Sequence, residues 1–243
     1  MKNTVYMKDL TPRFHGTFSN GKLGTNIMGV SYVPGGEYIT LKSGAIVSDC
    51  KGTCNGVNCE SCEKSCYAVR SYKQYPTVTV NRIENTLQLR ENIVQHFEDM
   101  KNAIIENNVK IVRYTESGEI ETFRQFALLE NLARKLPNVK FYLYTKNYAV
   151  LREFFDHSVL PENMTVLISI WGDHGIDEWN EFKKYRNVKA FAVNSDLKVS
   201  CFCPAYEKDN AGKVHRVVKN SAKCEKCRLC FDSKAKIIGC YEH

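Results

Sequence analysis

The sequence predicts an α/β fold: a parallel sheet wound as a partial (β/α) barrel, with a cysteine-rich N-terminal loop and a C-terminal appendage. Three observations predict it. Strand-like and helix-like segments alternate from residue 110 to residue 193 with short connections, and such alternation implies parallel strands joined by right-handed crossovers. The 243 residues are 43% hydrophobic, enough to bury a full core without disulfide staples. The eleven cysteines are bunched: five in 50–66, five in 201–230, and Cys240 beyond them. The expected organisation is a barrel over 1–197 and an appendage over 198–243. A flat doubly wound sheet is the alternative. No G-x-G-x-x-G follows a strand, so a dinucleotide site is not expected.

Residues 26–33 read as a first strand, ended by Pro34-Gly35-Gly36. Segments 37–41 and 45–48 read as a hairpin around Lys42-Ser43-Gly44. One long helix is expected over 77–106, with Val80, Ile83, Leu87, Val94, Phe97 and Ile104 on one stripe. Strands are then predicted at 110–114, 139–145, 165–171 and 188–193. Helices are predicted at 120–136, stopped by Pro137, and at 148–157 and 176–185. From Ser200 the periodicity fades, apart from a short strand at 235–239.

Neither an apolar run long enough to span a bilayer nor a secretory h-region in residues 1–10 is present. The expected compartment is therefore the reducing cytoplasm, where disulfides are rare. Bunched thiols there point to metal rather than to ordinary buried cysteines. Cys224-x2-Cys227-x2-Cys230, with Cys203-Pro204 upstream, has the spacing that wraps one ferredoxin-type 4Fe-4S cluster. A zinc ribbon using Cys201 or Cys203 with Cys224 and Cys227 is the alternative; the third cysteine of the run, Cys230, favours the cluster. The N-terminal group supplies Cys54, Cys59, Cys62 and Cys66 as candidate ligands, with Cys50 as a substitute. Two 4Fe-4S clusters are expected in all.

The chain carries a formal charge of +7. Residues 198–236 hold ten Lys or Arg against four Asp or Glu. This excess suits either a nucleic-acid surface or compensation for an anionic cluster. Compensation is favoured, because no aromatic platform interleaves the basic residues.

Ser117-Gly118-Glu119 ends the strand that follows the cysteine loop, and it resembles the Gly-Gly-Glu motif of radical S-adenosylmethionine enzymes. The resemblance implies that Glu119 and the Ser117-Gly118 backbone face the amino group of S-adenosylmethionine. Those enzymes use C-x3-C-x2-C, whose three thiolates leave one iron open, and this chain lacks that spacing. A narrower resemblance joins Cys66-Tyr67-Ala68, Arg113 to Glu119, Phe141-Tyr-Leu-Tyr-Thr-Lys146 and the Cys224–Cys230 run. Over residues 24–231 the chain is similar to the phage and plasmid "gene product eighty-eight" family, which implies architecture and a phage origin more than an activity.

The remaining candidates are weaker. Glu116 and Glu119 stand at a strand end, where α/β sheets place their sites, although both also suit the start of the following helix. Lys146, Trp171-Gly172-Asp173-His174 and Asn194-Ser195-Asp196 occupy equivalent ends. His15, His96, His157, His174, His215 and His243 form no metal or catalytic pair. Two functions are therefore expected in competition. One is an iron–sulfur enzyme, with S-adenosylmethionine as candidate cofactor. The other is a non-catalytic iron–sulfur or zinc protein that binds nucleic acid or a host protein.

Overall fold

The structure, a computed structural model, describes residues 4–18, 20–57, 59–217 and 219–242; His243 lies outside them. It is a mixed α/β fold around an eight-stranded sheet. The strands are β1 (Gly16–Thr17), β2 (Ile27–Ser31), β3 (Ile111–Ser117), β4 (Lys140–Thr145), β5 (Met164–Trp171), β6 (Val188–Val193), β7 (Cys201–Phe202) and β10 (Ile237–Cys240). A separate hairpin joins β8 (Tyr206–Lys208) to β9 (Val214–Arg216). The sheet order is β1-β2-β3-β4-β5-β6-β10-β7, and every pairing is parallel except β1–β2.

From β2 to β6 the spatial order follows the chain order. Crossovers of one hand that all step the same way leave their helices on one face. A doubly wound sheet reverses its strand order, and no reversal occurs between β2 and β6. The helices on that face are α3 (Pro76–Glu91), α4 (Ile93–Glu106), α5 (Phe123–Lys135), α6 (Tyr148–His157) and α7 (Ile176–Phe182). Their apolar stripes meet alternate strand residues, among them Met28, Val112, Phe141, Leu143, Ile168 and Ala190, in one continuous core. The intervening residues face the other way. There Ile27, Ile111, Tyr142, Leu167 and Ile238 form a smaller cluster with Phe231.

The single helix expected over 77–106 is two helices. Asn92 breaks it, with φ −143°, and its side chain accepts from the Gln95 amide of α4. An asparagine side chain competes for backbone amides in this way and caps a new helix. The break shifts the phase of the stripe, so Val94 stands exposed while Phe97, Met100 and Ile104 are buried. Thr122 caps α5 through the Gln125 amide, so that helix starts later than the apolar pattern suggested. The hairpin at 37–48 exists only as a Thr40–Ile46 bridge with its neighbouring hydrogen bonds.

Residues 198–243, expected as an appendage, add two strands to the sheet. Of these, β10 lies beside β6 in register from Ile237↔Ala190 to Cys240↔Val193, and β7 extends the same edge. Two short helices, α8 (Cys224–Cys227) and α9 (Leu229–Asp232), lie over the face that the larger helices leave open.

Candidate metal centres and the cavity between them

The cysteine loop is anchored before it begins. Thr53 donates its amide and its hydroxyl to Val33 O, and the Cys54 amide donates to Gly35 O at 2.8 Å. Gly52 passes so close to the Gly35 carbonyl that a Cβ there has no room. The Glu119 amide, at the exit of β3, donates to Thr53 Oγ1 at 2.8 Å. The loop is thus stitched to the ends of two neighbouring strands. It continues into α1 (Glu60–Ser65), which Cys59 precedes, and α2 (Tyr67–Gln74), with Cys66 between them.

Below this loop, at the carboxyl ends of the strands, lies a cavity of about 360 Å³. Its lining includes Cys54, Cys62 and Cys66, with Ser117, Gly118, Glu119 and Lys146. Trp171 and Glu116 border it as well, whereas Asp173, His174 and Asn194 to Asp196 do not. Cys59 is not on the lining. Cys50 lies in a different place, buried with Val33, Tyr72 and Ile83, and does not join the set.

Burial and the Glu119 carboxylate push the Cys54 thiol up to about 12. Lys146 works the other way, hydrogen-bonded to Cys62; burial opposes its charge, but Cys62, Glu119 and Cys54 hold its pKa above the ordinary value. The Ser117-Gly118-Glu119 turn is already heavily bonded. Ser117 Oγ donates to Tyr32 O at 2.9 Å. The Glu119 carboxylate accepts from the Ile120 amide at 2.9 Å and the Lys146 amide at 2.8 Å. Glu119 therefore ties the exit of β3 to that of β4, and the helix cap falls to Thr122 instead. Just before the turn, β3 bulges against β2, the register moving from Gly29↔Arg113 to Ser31↔Ser117. Thr115 takes φ +51° there, and a bulge of this kind re-aims a side chain beside a site. Here that side chain is Glu116, which accepts from Asn20 Nδ2 at 2.5 Å.

The second cysteine set lies deeper on the same face. Cys203, Cys224, Cys227 and Cys230 line one small space together with Lys22, Arg113, Tyr144 and Phe191. Arg113, Lys22, Tyr144 and Phe191 also border the larger cavity, so one wall serves both. Tyr144 OH donates to Cys230 Sγ at 3.0 Å. Burial pushes the Cys230 thiol up to about 12. A hydrogen bond from the Cys240 thiol holds Cys203 down at about 6 despite its burial. Thiols held as high as those of Cys54 and Cys230 keep their protons at neutral pH unless a metal takes the proton's place.

Among the described residues no three His, Cys, Asp or Glu side chains stand together closely enough to hold a single metal ion. A tetrahedral zinc needs its sulfurs about 2.3 Å from one centre, whereas a four-iron cube spreads its thiolates around a wider body. Two buried donors on the inner face, Arg113 Nε and Tyr142 OH, have no hydrogen-bond partner among the described residues. Orphaned donors beside four cysteines fit an anionic group, and the deeper set fits a cluster on that ground. The upper set offers three cavity-facing thiols out of the four expected.

Lys22, Tyr67, Tyr142, Tyr144 and Cys240 escaped the sequence reading as site residues. For the tyrosines of β4 a signal existed. Tyr142 and Tyr144 alternate with Phe141 and Leu143, and period two sends the pairs to opposite faces.

A family model described as gene product 88 matches residues 15–233. The chain belongs to the gene product 88 family. No curated protein and no solved structure matches it. Both cysteine sets and the cavity between them fall within the gene product 88 match, apart from Cys240 and its two neighbours at the mouth.

Proposed function

We propose that this gene product 88 protein is an iron–sulfur protein with a radical-S-adenosylmethionine-like partial barrel, holding two 4Fe-4S clusters on the inner face of its sheet. One observation carries the reading: both cysteine sets face the same side of a singly wound parallel sheet, and the upper set borders a cavity at the carboxyl ends of the strands. Cys54, Cys62 and Cys66 would hold one cluster, with Cys59, between Cys54 and Cys62 in sequence, as the candidate fourth ligand; Cys203, Cys224, Cys227 and Cys230 would hold the other. Bound clusters supply one-electron chemistry. Three cavity-facing cysteines is the number used by a cube that binds a ligand, and S-adenosylmethionine is the candidate ligand. Lys146 and Trp171 would line its site, while Glu119 holds the Lys146 amide and fixes the rim. The proposed compartment is the cytoplasm, that of the host cell for a phage-encoded chain; no helix among the described residues is long and apolar enough to cross a membrane.

Anaerobically purified protein should contain about eight irons and about eight sulfides per chain. Stoichiometric zinc without sulfide overturns the cluster reading. Dithionite reduction with S-adenosylmethionine should then yield 5′-deoxyadenosine. No product, and no spectral response of the upper cluster, overturns the enzymatic part alone.

A second reading, a non-catalytic protein that binds nucleic acid, has its own support. Phe202 stands 48% exposed and stacks on Tyr241 at 4.8 Å, with Lys208 over the Tyr241 ring. That is an aromatic platform among basic residues, a pairing that the sequence did not reveal.

A further inference from the structure

Arg113 and Tyr142 are directly opposite each other in the β3–β4 register, so their side chains stand side by side on the inner face of the sheet. Each carries a buried donor with no hydrogen-bond partner among the described residues, Nε of Arg113 and the hydroxyl of Tyr142. Arg82 Nε is the third such atom, but it sits on α3 and borders neither cysteine-lined space. Native interiors rarely leave such donors unpaired, and each one calls for a cause.

The surroundings supply one. Tyr142 is 1% exposed, and its ring lies 4.9 Å from Phe231, the residue after Cys230. The guanidinium of Arg113 lies over the Tyr144 ring at 5.0 Å. Tyr144, two residues further along β4 on the same face, already donates its hydroxyl to Cys230 Sγ. Arg113 and Lys22 border the small space that Cys203, Cys224, Cys227 and Cys230 enclose. The Arg113 guanidinium and the Tyr144 phenol thus border the four cysteines directly from the strand side, and the Tyr142 phenol lies beside them in the same inner-face cluster.

We propose that Arg113 and Tyr142, together with Tyr144, donate hydrogen bonds to the anionic group held by Cys203, Cys224, Cys227 and Cys230, and thereby set its reduction potential. This rests on the iron–sulfur reading above. The physical reason is charge. Each added electron makes a thiolate-bound cluster more negative, so donors and a fixed cation favour the reduced form and raise the potential. Arg113 and the two tyrosines are positioning residues here, acting through the cluster and not on a substrate. A purely structural role predicts otherwise: Arg113 would matter only as a cation stacked on an aromatic face, and the Tyr142 hydroxyl not at all.

The test uses the full chain purified anaerobically, with Tyr142→Phe, Tyr144→Phe and Arg113→Gln. The two tyrosine variants keep the ring and remove only the hydroxyl, so the packing on Phe231 survives. Both midpoint potentials are read by redox titration followed with electron paramagnetic resonance. The expected result is that one potential falls in each variant, by roughly tenfold in the redox equilibrium or about 59 mV for one electron, while the other stays. Both potentials unmoved in variants that keep their full iron overturns this proposal and leaves the cluster reading standing. Zinc without sulfide in the wild-type protein overturns both.

Discussion

Glu119 shows how much one side chain can do for the rim of the cavity. Its two oxygens accept from the Ile120 and Lys146 amides, and its own amide is held by Thr53. Glu119→Gln turns one acceptor into a donor facing an amide, so it should cost about 1–3 kcal/mol in urea unfolding, whatever ligand the cavity takes. His96 offers a different test. It is buried, its ring paired with Tyr32 OH at 2.8 Å and Gln88 Oε1 at 3.0 Å. Burial holds its pKa down at about 4, against the ordinary 6.5. The unfolded chain therefore binds an extra proton between those values, and unfolding is favoured as pH falls. The stability is fully present above pH 6.5 and is lost progressively toward pH 4, up to about 3 kcal/mol. Urea midpoints measured from pH 7 to pH 4 should show this loss, and His96→Gln should flatten it.

At the scale of elements, α8 and α9 are the segment that cannot stand alone. Each is a single turn, too short to be stable in isolation, and Arg228 between them takes φ +57°. The Cys224 and Glu225 amides donate to Lys22 O and Leu23 O. The Glu225 carboxylate accepts from the Thr25 and Asn26 amides at 3.0 and 3.1 Å. These are surface ties, and a metal held by the cysteines would supply the remaining folding energy. Cys227→Ala should therefore open residues 219–232 to limited proteolysis, whereas β10, hydrogen-bonded beside β6, stays protected. Equal protection of 219–232 in the variant would show that the segment folds without a metal. That expectation is narrower than one drawn from composition, which would release the whole stretch from 198 to 236.

For the molecule as a whole, the two faces of the sheet carry different loads. The helix face buries a continuous apolar core that contains no cysteine. The other face buries few apolar side chains, with four cysteines, Cys201, Cys203, Cys224 and Cys230, packed against them. Stripping metal with a chelator should leave far-ultraviolet circular dichroism nearly unchanged. The near-ultraviolet signal, to which Tyr142 and Tyr144 contribute, should fall. Collapse of both signals together would mean that the helix-side core does not hold without metal. The basic excess makes a separate prediction. If the Phe202–Tyr241 platform binds single-stranded nucleic acid, affinity should fall steeply with added salt as counterions are released, and Phe202→Ala should weaken it by about 1–3 kcal/mol. Compensation of an anionic cluster predicts no measurable binding at physiological salt.

The order of strands and helices from β2 to β6 was legible, because period two and period 3.6 are local properties of residues such as Val166, Ile168, Leu129 and Leu132. The cysteine spacings that nominate candidate ligands are likewise local, written along the chain. Asn92 shows a limit: a side chain that caps a helix looks the same in sequence as one carried within it. What only the tertiary structure decided was which distant segments meet. It brought β10 to the side of β6, sent Cys50 into a separate cluster, put Arg113 and Tyr144 on the wall of the space lined by Cys203 and the Cys224–Cys230 run, and packed Tyr142 beside it. The physical reason is that strand pairing and the meeting of buried polar groups depend on how the whole sheet packs, and no short stretch of residues encodes that.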